Sequence, residues 1–168
     1  MPQISAVQPA ARMRTDVRII ACAALVDSDH VLLVQRGRGP SAGCWTLPGG
    51  RLASGEALSA ASRRTTRQDT GLEIELDGIV GVYSYTGCSG ESRSRFCFSA
   101  SIVGGRPRFD GRLIRDLRWF SFDQLPRVHE ALLWKPRILR RMLGDIQRGQ
   151  RLPLNLLRRF DPAFKAAA

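Results

Sequence analysis

Apolar and β-branched residues open the chain in two short runs, Val17–Val26 and Val31–Gln35, divided by Asp27-Ser28-Asp29-His30. Runs of this length around turn-forming residues predict two strands joined as a hairpin. Gly37 to Gly43 is a Gly/Pro/Ser loop leading into Trp45-Thr46-Leu47-Pro48-Gly49-Gly50, where Pro48 closes a strand-like segment. The glycines allow a tight turn or a close approach of backbone to ligand. Ala57–Thr70 is Ala-rich and followed by Gly71, which predicts a helix with a glycine cap. Ile79–Tyr85 and Arg95–Val103 predict strands around the loop Gly87–Gly90, and Leu117–Phe120 predicts a further short strand. Ser121 or Asp123 can cap a turn before Pro126. Val128–Leu143 then has the pattern of a second amphipathic helix, which Pro136 either kinks or begins.

Strands, a helix, more strands and a helix predict an α/β fold, a mixed sheet with helices on its faces. Residues 1–15 show no apolar period and read as a flexible tail. The domain is placed at residues 16–145 and a basic C-terminal extension at 146–168. The extension has room for a short helix across the sheet but is too small for a separate DNA-binding domain. A chain of 168 residues suits one domain that buries roughly two-thirds of its unfolded surface.

No apolar run approaches the ~20 residues of a membrane helix. Ile19–Val26 follows Arg12, Arg14 and Arg18 and so invites comparison with a signal peptide. It lacks a small-residue cleavage site, and Asp27, Asp29 and a second apolar run follow at once, so it reads as a first strand of a cytoplasmic protein. Formal net charge is +11, and all 26 cationic residues except Lys135 and Lys165 are Arg. Such a surplus attracts phosphates, nucleic acid or acidic partners. The Arg are spread evenly, without the aromatic interleaving of an RNA-binding surface, which disfavours nucleic acid. Cys22, Cys44, Cys88 and Cys97 have no C-x-x-C spacing. They read as thiols rather than a zinc site, with Cys44 and Cys88 placed in loops where they could react.

Residues 49–72, GGRLASGEALSAASRRTTRQDTGL, carry the outline of a known motif. The stretch resembles the Nudix box, which runs Gly, five residues, Glu, seven residues, Arg-Glu, apolar, any, Glu-Glu, any, Gly, apolar. Gly50, Glu56, Arg64, Gly71 and Leu72 fall on that spacing, while Thr65, Gln68 and Asp69 stand where three acids belong. Val31-Leu32-Leu33-Val34-Gln35-Arg36, Gly43 to Gly50, and Arg118-Trp119-Phe120 before Leu125-Pro126 extend the likeness over about residues 17–143. The resemblance implies the Nudix fold, an α/β/α sandwich with a mixed sheet.

It also implies a chemistry. Acids at positions 65, 68 and 69 would share one helix face and hold Mg2+ against a diphosphate. Here Asp69 alone keeps a charge. Asp69, Glu56 and the Gly50 carbonyl are the remaining metal-ligand candidates, and Mg2+ binding is expected to be weak. Glu56 and Asp69 are also the candidate catalytic acids, although the resemblance favours a structural Glu56–Arg64 pair. Leu113 stands where many relatives carry a further Glu, and Asp110 or Glu91 could substitute from loops. Asp116 reads as a surface partner for Arg. Arg36, Arg38, Arg51 and Arg95, with Tyr85, are the candidate ligand-binding residues, since guanidinium groups hold phosphate or carboxylate in pairs of hydrogen bonds. Trp45, Tyr83 and Phe98 can line an aromatic slot or belong to the core. His30 and His129 show no obvious partner. The expected function is binding of a nucleotide-like or other anionic small molecule, with metal-dependent diphosphate hydrolysis weak or lost and room for repurposing to non-standard chemistry. An active hydrolase using Asp69 and Glu56 and a nucleic-acid-binding Nudix protein are the alternatives. The resemblance further allows a homodimer.

Overall fold

The computed structural model describes residues 17–87 and 89–157; the tail at 1–15, Cys88 and the end of the extension lie outside them. Strand β1 (Arg18–Asp27) turns through Ser28 and Asp29 into β2 (His30–Arg36), the predicted hairpin, with Asp27 opposite His30. Two short strands follow, β3 (Trp45–Thr46) and β4 (Gly49–Arg51), then helix α1 (Leu58–Thr70). Strands β5 (Leu72–Thr86) and β6 (Ser92–Gly105) form a long hairpin, and β7 (Ile114–Ser121) leads by 3-10 turns to α2 (Pro136–Gln147).

The main sheet runs β3-β2-β1-β6-β5, with β4 on β1 and β7 on β2. It is mixed, as β1 and β6 are parallel while β5 and β6 are antiparallel. Alternation along β1 explains the layers. Ala21, Ala23 and Leu25 point to one side, packing with Ala61 of α1, Leu76 and Phe98. Cys22 and Ala24 point to the other, packing with Leu139, Met142 and Leu143 of α2. The expected α/β/α sandwich is therefore the fold.

Several boundaries differ from the sequence reading. β5 begins at Leu72, seven residues before the predicted Ile79, because Leu72, Ile74 and Leu76 alternate buried with exposed Glu73, Glu75 and Asp77. The second helix starts at Pro136, whose fixed φ suits a first turn; residues 130–132 form a separate 3-10 turn. The extension drawn at residue 146 begins inside α2, and Leu152 pairs with Ile79 at the sheet while Leu154 and Leu157 pack on the core. Among the described residues no helix is long and apolar enough to cross a membrane.

Candidate functional site

The Gly-rich segment and α1 are held together by fixed contacts. β4 lies antiparallel on β1, with Gly49 opposite Cys22 and Gly50 opposite Ala21. Gly49 has φ +151°, and a Cβ there would meet the Ala21 carbonyl at 2.4 Å, so no side chain fits. Glu56 braces this loop against the helix. Its carboxylate accepts from Arg64 Nε and Nη2, both at 2.7 Å, and from the Ala53 N–H at 2.9 Å. The Arg64 guanidinium, helped by the Ala53 N–H, lowers the Glu56 pKa to about 2. Arg64 also donates to the Arg51 carbonyl at 3.1 Å.

The three replaced box positions have settled into other roles. Thr65 is buried, its hydroxyl donating to the Ala61 carbonyl at 2.7 Å, and its methyl would meet a Cβ at Gly50 at 2.9 Å. The Gln68 amide oxygen accepts from Arg64 at 3.3 Å. Asp69 is buried and accepts the Gly49 N–H at 2.9 Å with one oxygen and Arg36 Nη1 at 3.2 Å with the other. Arg36 completes a bridge by donating Nη2 to the Gly49 carbonyl at 2.5 Å. Burial raises the Asp69 pKa, and Arg36 and the Gly49 N–H oppose that rise.

These residues do not fit the Mg2+ that the resemblance implies. Both oxygens of Glu56 and both of Asp69 are engaged by cations or N–H groups, and a guanidinium stands against the Asp69 carboxylate. Glu56 lines a different hollow from the cleft that Gly50 lines. Among the described residues no three His, Cys, Asp or Glu side chains gather as ligands. Mg2+ needs several oxygen donors in octahedral array.

Every residue predicted to touch ligand lines one cleft of about 230 Å³, in which Arg36, Arg38, Arg51 and Arg95 meet Tyr85. Arg95 forms part of its wall and is only 5% exposed. Its Nη1 donates to the Thr46 hydroxyl at 3.1 Å, and its Cζ lies 3.9 Å from the Trp134 ring centroid. Its Nε has no hydrogen-bond partner, and no carboxylate lies within ion-pair distance among the described residues. The Tyr85 hydroxyl, also in the cleft, is buried and lies against the Arg93 guanidinium. Arg36 and Arg93, by contrast, are neutralised by Asp69 and Glu91. An unpaired buried charge is costly, and the Trp134 ring offsets only part of that cost.

Sequence reasoning did not single out Arg93, Thr46 or Trp134. Arg93 had a signal, because Arg93 and Arg95 are two apart on β6 and so share a face. Trp134 had none, since it arrives from the irregular segment before α2. Trp45 and Phe98 are core, and the Tyr83 hydroxyl donates to Asp145 at 2.8 Å. Asp110 accepts N–H groups of Arg112, Leu113 and Ile114 and lines another hollow with Gln68; Glu91 holds Arg93. Asp116 pairs with Arg118 at 2.7 Å, as expected of a surface acid. His30 does have a partner, Asp29 at 2.6 Å, and His129 Nδ1 accepts from the Ala131 N–H. Cys22 and Cys97 are buried free thiols, and Cys44 is half-buried.

Two hollows more than twice as large lie elsewhere. One of about 640 Å³ is lined by Arg64, Arg67, Arg108 and Phe109, and one of about 550 Å³ lies by Leu58, Arg63 and Leu157. Arg64, Arg67 and Arg63 are solvent-facing and paired with Glu56, Glu73 and Glu75. The smaller cleft holds the buried Arg95 guanidinium, with an unsatisfied Nε, among the other candidate ligand residues, and is the candidate site.

An α/β/α sandwich whose glycine-rich loop and helix flank an Arg-lined cleft is the class of domain that the fold defines. The sequence matches the NUDIX domain over residues 16–142, and the chain belongs to that family. It is 35% identical over 102 residues to a Bacillus subtilis protein provisionally named 8-oxo-dGTP diphosphatase, covering 61% of this chain and 64% of that one. It is 34% identical over 129 residues to the human 8-oxo-dGDP phosphatase, covering 72% of this chain and 38% of that one. The chain thus spans less than two-thirds of either relative's length. A solved NUDIX hydrolase from Nitrosomonas europaea superposes with a TM-score of 0.77 at 28% identity, covering 88% of this chain and all of that one.

Proposed function

We propose that this chain binds a phosphorylated, nucleotide-like small molecule in the Arg95 cleft without a metal ion, and that metal-dependent hydrolysis is weak or lost. The observation that carries the reading is Arg95, a buried guanidinium with a free Nε and no carboxylate partner among the described residues, lining a cleft with Tyr85. The oxygen of an anion would satisfy that Nε. Arg38 and Arg51 add positive charge around the same space, where Arg36 and Arg93 are already paired with Asp69 and Glu91. The relatives named above act, by their names, on nucleoside di- or triphosphates, which supplies the ligand class.

The reading also rests on how the two surviving acids are spent, Glu56 as a brace and Asp69 as an anchor for Gly49 and Arg36. The names of the relatives favour a second reading, residual hydrolysis on Asp69, which requires Arg36 to release it. The test is phosphate release from 8-oxo-dGTP, 8-oxo-dGDP and ADP-ribose with Mg2+ and with EDTA. The first reading predicts no turnover above background in either. Mg2+-dependent turnover that disappears in Asp69→Asn would establish the second.

A further inference from the structure

We infer that the cleft reads the phosphates of its ligand and not the base, an inference that rests on the anion-cleft reading above. The two aromatic side chains lining the cleft are Tyr85 and Trp134. In a site that recognises a base, such rings offer an open face for stacking. Here Arg95 lies over Trp134 at 3.9 Å, and Trp134 is itself 7% exposed and packed into the core. Tyr85 stands edge-on to Trp134 with ring centroids 5.3 Å apart, and Lys135 Nζ sits over Tyr85 at 5.5 Å. Lys135 is anchored there by its hydrogen bond to the Thr86 carbonyl. The Trp134 ring serves as a platform for the Arg95 cation, and the Tyr85 ring already carries Lys135, so neither is a free slot for a planar ligand.

Size and composition point the same way. The cleft is about 230 Å³, below the roughly 300 Å³ at which small-molecule pockets usually begin. It is large enough for a diphosphate group and leaves a nucleoside outside. The polar side chains lining it are dominated by Arg36, Arg38, Arg51, Arg93 and Arg95, which donate and cannot accept. No Asn, Gln, Asp or Glu side chain lines it, so the alternating donors and acceptors of a base edge have no matching side-chain set among the described residues. What Arg38, Arg51 and Arg95, the lining guanidinium groups with no carboxylate partner among the described residues, select is density of negative oxygen. Affinity should therefore depend on phosphate number and hardly at all on the base, and inorganic pyrophosphate alone should be a ligand.

The experiment is calorimetric titration of the full chain in EDTA with inorganic pyrophosphate and with ADP, GDP, CDP and UDP, beside AMP. The inference predicts dissociation constants for the five diphosphates within about threefold of one another, with AMP at least tenfold weaker. A tenfold preference for one base, or nucleotides that bind while pyrophosphate does not, overturns the inference and leaves the anion-cleft reading standing. Failure of every probe to bind overturns both.

Discussion

Three side chains carry the functional reading, and each has a test of its own. Arg95 is buried without an acid, so its charge burdens the empty protein. Replacing a buried ionic group by an apolar one of similar volume is often neutral or stabilising. Arg95→Met is expected to melt at the same temperature as the parent or higher when no ligand is present, as thermal denaturation would show. A loss of several degrees would mean that Arg95 serves the fold. Asp69 is the reverse case. Removing it strands the Gly49 N–H and the Arg36 guanidinium together, so Asp69→Ala should cost about 3 kcal/mol in a denaturant melt. Glu56 gives a pH signature. Its pKa falls from 4.5 to about 2 on folding, so its contribution is complete above 4.5 and drains away as pH drops toward 2. Melting temperatures of the parent and Glu56→Gln should therefore differ most near neutrality and converge between pH 4.5 and 2. A gap independent of pH would deny the Arg64 pair its electrostatic role.

At the level of elements, the sequence was most readable where a local rule acts alone. The first hairpin follows from two apolar runs around Asp27 to His30, and α1 ends at Gly71 because that residue has φ +75°, which a glycine adopts freely. The start of α1 is less well made. Ala57 is its N-cap and offers no side-chain acceptor, and the first turn has no acid. Ala57→Ser should add about 1 kcal/mol of stability by chemical denaturation. The first half of β5 was legible in principle, since Leu72, Ile74 and Leu76 alternate with charged residues directly after the Gly71 cap of α1. The segment before α2 was not legible. Its 3-10 turn and the pairing of Leu133 with Trp45 depend on contacts across 88 residues, and these bring Trp134 to the cleft. Local pattern predicts that a strand exists, whereas only packing decides which loop delivers a ring to it. The five residues expected to touch ligand did meet in one place, because β1 carries β2 on one side and the β6 of the β5–β6 hairpin on the other, with β4 of the Gly-rich loop also paired to it. The expected metal ligands did not, since Arg36 reaches Asp69 from a strand 33 residues away, a contact no motif announces.

For the whole molecule, family membership and family chemistry are two different questions. Residues 16–142 belong to the NUDIX domain family and keep its scaffold, while fold alone does not fix activity. The net charge of +11 acts at this scale. Affinity for a diphosphate should fall several-fold as ionic strength rises from about 0.05 to 0.5 M, the range over which screening lengths shrink from over 10 Å to under 5 Å. Part of the affinity should survive, because Arg95 is buried and poorly screened. The central claim is that this one buried guanidinium takes up an anion without metal. It is tested most directly by titrating ADP into the parent and into Arg95→Met in EDTA. The account predicts saturable binding by the parent and a loss of roughly 10- to 100-fold in the variant, the worth of a charge-assisted hydrogen-bonding group. Equal affinity in the two proteins, or binding that appears only when Mg2+ is added, would contradict it.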